Sequence, residues 1–400
     1  MASRVLVVGS GVIGLRTALE LLRKNVSVVL KSARPPLHPS TCSVGAGGLW
    51  MPYKCDDPRI DKWSLETLDE LLAIAKDENK KDQCIEIVPT IFLLSSNKGP
   101  DLTHFVNSDY STKTSNDMDA KQVSSPLPNW SSDPRLSFQH LSIEMLTWQN
   151  SVFKLRIPSQ NEMLSAGYTH AYLFHPPIVD PPRMLTTMLN EIKSHPKLVD
   201  MNIEMGEGYS SLKEMVEDAE NLKCDAIINC TGLGAANICK DTTLIGGRGV
   251  LLHYDRSCAR RETGSSDQEL MRDAAILTEE GKWGSRTDPS YIIPRGDVFV
   301  VGGTYKEEDY EQGIRNEERK KIKQNAWDWG IDTERVDPIG EWTGFRPCRP
   351  NVRLEVDSTN SSADMKVVHS YGAGGSGWTI FAGIAKRSVD LLFSSEKSKD

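Results

Sequence analysis

The stretch EWTGFRPCRPNVRLE, residues 341–355, sets Arg346, Arg349 and Arg353 within eight positions, beside Pro347 and Pro350. Prolines stiffen the backbone there, and a guanidinium offers a planar fork of donors suited to an anion. A loop of solvated arginines is the alternative for the segment in isolation. A second chemical signature lies near the N-terminus, where Gly9, Gly11 and Gly14 form G-x-G-x-x-G. It interrupts RVLVVGSGVIGLRTALELLRKNVSVVLKS, which reads as strand, tight turn, helix and strand. Val5–Val8 is a short apolar run, as in a buried parallel strand. Leu15, Leu19 and Leu22 carry the helical period, and Val26–Leu30 make the second strand. In that setting Gly9 permits the turn, Gly11 lets backbone approach a pyrophosphate, and Gly14 lets helix and strand pack closely. Val12 and Ile13 complete the turn, where the helix N-terminus offers free N–H groups to a phosphate. The acid that usually holds a ribose is missing, because the second strand ends Lys31-Ser32-Ala33-Arg34.

The remaining elements must bring these two signatures together. Residues 63–82 read as a helix, 86–94 as a strand, and 107–134, rich in Ser, Asp, Asn and Pro, as a long surface loop. Asp180 is an expected N-cap before a helix that opens with prolines. CDAIINCTGLGAAN gives a buried strand over 225–230 followed by Gly232 and Gly234, a second strand-to-glycine turn. SYIIPRGDVFVVGGTY reads as a hairpin turning at Arg295-Gly296-Asp297. RNEERKKIKQNAWDW reads as a solvated helix whose charges need no partner. HSYGAGGSGWT puts Gly372, Gly374, Gly375 and Gly377 before a last helix over 378–393, either a flexible loop or backbone passing close to a ligand.

Four hundred residues exceed a typical single core, so two lobes are expected. The net charge of −8 argues against nucleic acid, which requires a basic face. No run of roughly 20 apolar residues is present, so no membrane-spanning helix is expected. Met1-Ala2-Ser3-Arg4 leads directly into a strand, so no signal peptide is expected. The eight cysteines include no C-x-x-C pair, and free buried thiols are expected rather than disulfides or a metal site.

Taken together, VLVVGSGVIGLRTAL (5–19), CSVGAGGLWMPY (42–53), NCTGLGA (229–235), YIIP…VVGGTY (291–305), TGFRPCRPNVRL (343–354) and HSYGAGGSGWTI (369–380) resemble the D-amino-acid oxidase family, which includes D-aspartate oxidases. The resemblance spans residues 4–393. It implies an α/β fold in which a Rossmann-type FAD-binding domain is interleaved with an antiparallel-sheet (α+β) substrate domain. The implied boundaries are 1–55, 170–247 and 341–393 for FAD, and 56–169 and 248–340 for substrate, with a tail at 394–400. The implied reaction is oxidative deamination of a D-amino acid by hydride transfer from Cα to flavin N5. Molecular oxygen then gives hydrogen peroxide, and the products are a 2-oxo acid and ammonia.

Carried across by motif, Arg346 matches the arginine on the substrate carboxylate and Tyr291 the tyrosine that supports it. Gly375 falls where a backbone carbonyl accepts from the substrate amine. Gly9, Gly11 and Gly14 hold the pyrophosphate, and Thr41, Cys42 and Ser43 lie near the phosphates. The backbone of Gly48, Leu49 and Trp50 lies against the isoalloxazine, and Gly374, Gly377 and Thr379 at its pyrimidine end. Arg349 and Arg353 receive no role and are expected to pair with carboxylates of the chain.

D-Aspartate oxidases of this family carry an arginine and a histidine where this chain has Tyr305 and Met51, so neutral D-amino acids are the expected substrates. Arg286, Arg295 and Lys306 are the cations that could overturn this. D-Aspartate oxidase and a glycine- or sarcosine-oxidase-like enzyme are the alternatives. Thr287 falls near a lid tyrosine of animal members. The expected partners are a small-molecule D-amino acid and oxygen, without nucleic acid or membrane, and a homodimer is left open. The end Ser398-Lys399-Asp400 departs from the S-K-L address, and a cytoplasmic or peroxisomal location is expected.

Overall fold

A computed structural model describes residues 3–53, 55, 57–77, 84–95, 127–153, 155–257, 273–278, 290–362 and 365–394. The G-x-G-x-x-G segment folds as expected: strand Arg4–Val8, helix Val12–Arg23, strand Ser27–Ser32. Arg4–Val8 is central in a six-stranded sheet, flanked by Ser27–Ser32 and Leu198–Ile203 on one side and by Ala226–Asn229, Lys366–Tyr371 and Arg353–Val356 on the other. All pairs are parallel except the edge strand Arg353–Val356, which runs antiparallel to Lys366–Tyr371. Val5, Val7, Val28 and Leu30 face one apolar layer, and Leu6, Val8 and Val29 the other. Burial on both faces accounts for the continuous apolar runs.

The second body is a nine-stranded, mostly antiparallel sheet. The 291–305 hairpin is present, with Tyr291–Arg295 paired to Val298–Gly302 around Gly296, whose φ of +54° suits the turn. Its one parallel contact joins Thr90–Leu94 to Ala275–Thr278. The fold class is therefore as expected, a mixed α/β architecture with a parallel and an antiparallel sheet.

Several boundaries differ from the sequence reading. The first helix beyond the glycine motif is Ile60–Lys76, and it packs on the last helix, Gly377–Phe393, rather than in the second body. The strand placed at 86–94 is broken at Pro89, which has no N–H to donate. Ile85–Ile87 pairs with Pro177–Val179, and Thr90–Leu94 joins the large sheet. His170–Phe174 and Gly340–Cys348 also belong to the large sheet, so residues 170–174 and 341–348, expected in the FAD domain, lie in the second body. The cut at 247/248 divides the continuous strand Ile245–Asp255, which pairs with Gly340–Cys348 along nearly its whole length.

Residues 107–126 of the expected loop lie outside the described residues. Its end is packed rather than exposed: Trp130 is buried and meets Trp50 at 6.0 Å and Phe174 at 5.0 Å. The charged helix, Asn316–Asp328, is also not solvated all round. Glu318, Ile322, Asn325 and Ala326 are buried, and Glu318 sits 2.6 Å from Arg248.

Candidate active site

The two bodies enclose an elongated cavity of about 1350 Å³ between the glycine turn and Arg346. Its far end is mostly backbone. Gly9 has φ +114°, and a Cβ there would collide with the Cys230 carbonyl. Gly14 does not line the cavity; a Cβ on it would strike the Gly9 carbonyl, which is the close helix–strand contact expected of it. Gly11 is the N-cap of Val12–Arg23, and no acidic residue occupies that helix's first turn. Ser43 Oγ accepts from the Val12 N–H at 3.1 Å, and Ile13 lines the same wall.

A second helix N-terminus opens on the cavity at Gly377, again without a side-chain cap or an acid in the first turn. A Cβ built on Gly232 or Gly377 would meet no protein atom within 4 Å; it would stand in the cavity itself. Two positive helix ends and glycine walls suit a long ligand carrying phosphate at one point and developing negative charge at another.

Between these ends run residues 41–51. Thr41 donates to the Pro35 carbonyl at 3.1 Å. Cys42 lines the cavity, and burial pushes its thiol up to about 11 against the pull of Arg346. It is neutral near pH 7 and no nucleophile. Gly48 has φ +78° and is closed on by the Val179 carbonyl, and the Leu49 backbone bridges Ile178. Trp50 does not line the cavity, and its buried indole donates to the Ser64 carbonyl at 2.9 Å. Thr379 Oγ1 donates to the Met51 carbonyl at 3.0 Å, and Ser376 Oγ to that of Tyr53 at 2.7 Å. These bonds fasten residues 51–53 to the last helix and its Gly374–Ser376 entry.

Arg346 lines the near end, lying over Gly249. Its only hydrogen bonds to described residues are long ones, to the carbonyls of Thr304 at 3.4 Å and Gly247 at 3.5 Å. No carboxylate among the described residues pairs with it. Its two companions are consumed. Arg349 Nε meets Asp241 at 3.0 Å, while Arg353 donates to Glu355 and to the Tyr371 hydroxyl, both at 2.8 Å.

Tyr291 lines the same end, its ring on the Gly302-Gly303 backbone. Burial raises its phenol, so it stays protonated and able to donate, although Arg346 draws the value the other way. Gly375 lies beside them: a Cβ built on it would be 3.9 Å from Arg346 Cδ. Arg346, Tyr291 and Gly375 are thus brought together.

Tyr305 is not. It stands outside the cavity with its hydroxyl 2.9 Å from Glu307 and its ring 5.8 Å from the Arg346 guanidinium carbon. Met51 does line the cavity. Two of the three alternative cations are engaged elsewhere. Arg295 is buried and spends a bond on the Ala46 carbonyl, and Lys306 pairs with Glu318 at 2.9 Å. Arg286 and Thr287 lie outside the described residues. The sequence reading missed the apolar wall of this end, built by Phe92, Leu251, Leu277 and Ile293. Only the strand period carried that signal, and it does not say which face meets a ligand.

A family model described as FAD dependent oxidoreductase (DAO) matches residues 4–391. A D-amino-acid oxidase of Dictyostelium discoideum is 26% identical over 396 residues, covering 97% of this chain and 91% of the relative. Human D-aspartate oxidase is 24% identical, covering 98% and 94%. Among solved structures, glycine oxidase from Bacillus cereus superposes with a TM-score of 0.65 at 13% identity, covering 98% and 95%.

Proposed function

Because this chain belongs to the FAD dependent oxidoreductase family, matched over residues 4–391, we propose that it oxidatively deaminates neutral D-amino acids to 2-oxo acids, ammonia and hydrogen peroxide. FAD is the family's cofactor, and the residues present fit it. The glycine turn and the Val12–Arg23 helix N-terminus suit its pyrophosphate, and the segment at 45–49 and the Gly377 helix N-terminus suit its isoalloxazine. Bound FAD supplies the two-electron acceptor.

The chain's own residues hold and orient the substrate. The Arg346 fork takes the α-carboxylate with two parallel hydrogen bonds, and the Tyr291 hydroxyl donates a third. The Gly375 carbonyl accepts from the amine, which must be uncharged for its nitrogen lone pair to follow electrons leaving Cα. Fixing the carboxylate and amine leaves Cα–H one direction in which to point, and this is the basis proposed for D-selectivity. Phe92, Leu251, Leu277 and Ile293 exclude water from the reacting centre.

The observation that carries this reading is Arg346, a cation with no carboxylate partner among the described residues, facing the cavity beside Tyr291 and Gly375. It is also the only Arg or Lys among the described residues lining this end. A second carboxylate, as in D-aspartate, would be buried against apolar side chains with no cation among the described residues to pair it, at a cost of several kcal/mol. A peroxide-coupled screen of D- and L-amino acids, glycine and sarcosine tests the reading. Fastest turnover is expected with neutral D-amino acids such as D-methionine. Fastest turnover of D-aspartate, glycine or sarcosine would overturn it.

A further inference from the structure

The strand Ser27–Ser32 ends without the carboxylate that ordinarily takes the adenosine ribose of a dinucleotide. We infer that Glu204, from the neighbouring strand, supplies it. Leu198–Ile203 runs parallel to Ser27–Ser32, with Lys31 opposite Asn202 and Ser32 opposite Ile203. Continuing that register by one residue sets Glu204 beside Ala33, where the missing acid would stand.

The segment that follows Glu204 is tied to the end of the second strand. Gly206 N–H donates to the Ala33 carbonyl at 3.3 Å, and Arg34 Nη1 donates to the carbonyls of Gly206 and Ala33, each at 2.6 Å. A Cβ built on Gly208 would already lie 3.5 Å from the Ala33 Cβ. Residues 206–208 thus pass close to the Ala33 side chain. The small residue and the folded-over segment are two parts of one arrangement.

Glu204 lines the cavity together with Ala33 and Arg34, is exposed, and has no hydrogen bond or ion pair with any described residue. The cavity-lining carboxylates of the adjacent helix, Leu212–Asn221, are engaged: Asp218 with Lys31 at 2.8 Å and with Tyr209, Glu214 with Ser210 at 2.7 Å, and Glu217 with Lys213 at 3.5 Å. Glu207 also has no partner among the described residues, but it lies beyond the Gly206 bend, out of line with the strand register. A carboxylate accepts from both hydroxyls of a vicinal diol.

The test uses holoprotein stripped of its flavin and rebuilt with FAD or with FAD lacking the adenosine 2′-hydroxyl, affinity being read from flavin fluorescence. Wild type should hold FAD about tenfold more tightly than the deoxy analogue. E204Q should bind FAD about tenfold more weakly and no longer distinguish the two. E207Q should behave as wild type. Retained discrimination in E204Q, or its loss in E207Q instead, would overturn the assignment. The readout is independent of which amino acid is oxidised.

Discussion

Arg248 and Arg346 lie on two paired strands of one sheet, a single register step apart: Arg346 opposes Gly247, and Arg248 opposes Phe345. They are the same residue type with opposite circumstances. Arg248 is fully buried and bidentate on Glu318, at 2.6 and 2.9 Å, and it also donates to the carbonyls of Glu311 and Gly313. Glu318 in turn holds Lys306 at 2.9 Å and Arg315 at 3.1 Å, and these cations keep its carboxyl well below the usual range even though burial pushes it up. Arg346, on the other face, has backbone carbonyls at long range and an open cavity. A closed network holds structure together, and an unclosed cation awaits a ligand. Residue type alone distinguishes neither.

The largest expected effect falls on Arg346. Arg346→Ala should cost about 3–5 kcal/mol in kcat/KM, with Arg346→Lys between it and wild type, because lysine keeps charge and loses the fork. Its thermal stability should stay near wild type, since little in the folded chain is bonded to it. An equal loss of stability would erase the distinction drawn above.

Arg248→Ala should do the reverse. Removing it leaves Glu318 buried with Lys306 and Arg315 as remaining partners, so denaturant unfolding should show a loss of about 3 kcal/mol. The kcat/KM of the folded fraction should change less than about twofold, well inside the effect of a lost catalytic contact. A kinetic loss like that of Arg346→Ala would mean that the two faces of the sheet are not separate.

The smallest effect sharpens the contrast within the arginine-rich stretch itself. Arg349→Ala should leave activity almost untouched and cost about 1–2 kcal/mol of stability through the Asp241 pair. Hydrogen bonds from Thr243, Tyr371 and Arg349 hold the Asp241 carboxyl down at about 2, although burial alone pushes it up. A carboxyl depressed in the folded state stabilises above its unfolded value of about 3.9 and loses that contribution as pH falls through the folded value. The stability difference between wild type and Arg349→Ala should therefore be full at pH 5 and shrink between about pH 4 and pH 2. A difference that persisted unchanged to pH 2 would refute the pairing as its source.

Much of the parallel-sheet end was legible in the sequence. Gly14 is held by Gly9 within the motif itself, although Gly9 is closed on by the distant Cys230 carbonyl, and the apolar runs beside them mark strands buried on both faces. Arg346 could be told from Arg349 and Arg353 only through the family motif: Asp241 lies 108 residues from Arg349, and the nearby Glu355 does not by itself mark Arg353 as paired. The same distance hid the buried Glu318 in a helix that looks uniformly polar, and hid Trp130 at the end of a polar, proline-rich run. The side-chain directions of Trp50 and Tyr305 were illegible for a related reason. A motif fixes where a backbone runs, but the indole of Trp50 turned to the Ser64 carbonyl and the hydroxyl of Tyr305 to Glu307. Glu204 was invisible because its role depends on which strand lies next to Ser27–Ser32.

The most direct test of the central claim is anaerobic mixing of the FAD-loaded protein with D-methionine, L-methionine and D-aspartate, following loss of the flavin's visible absorbance. D-Methionine should bleach the wild-type flavin rapidly, L-methionine should not, D-aspartate should be slower by orders of magnitude, and Arg346→Ala should be slow with all three. Rapid bleaching by D-aspartate, or wild-type bleaching in Arg346→Ala, would contradict the assignment of Arg346 as the single carboxylate anchor of this site.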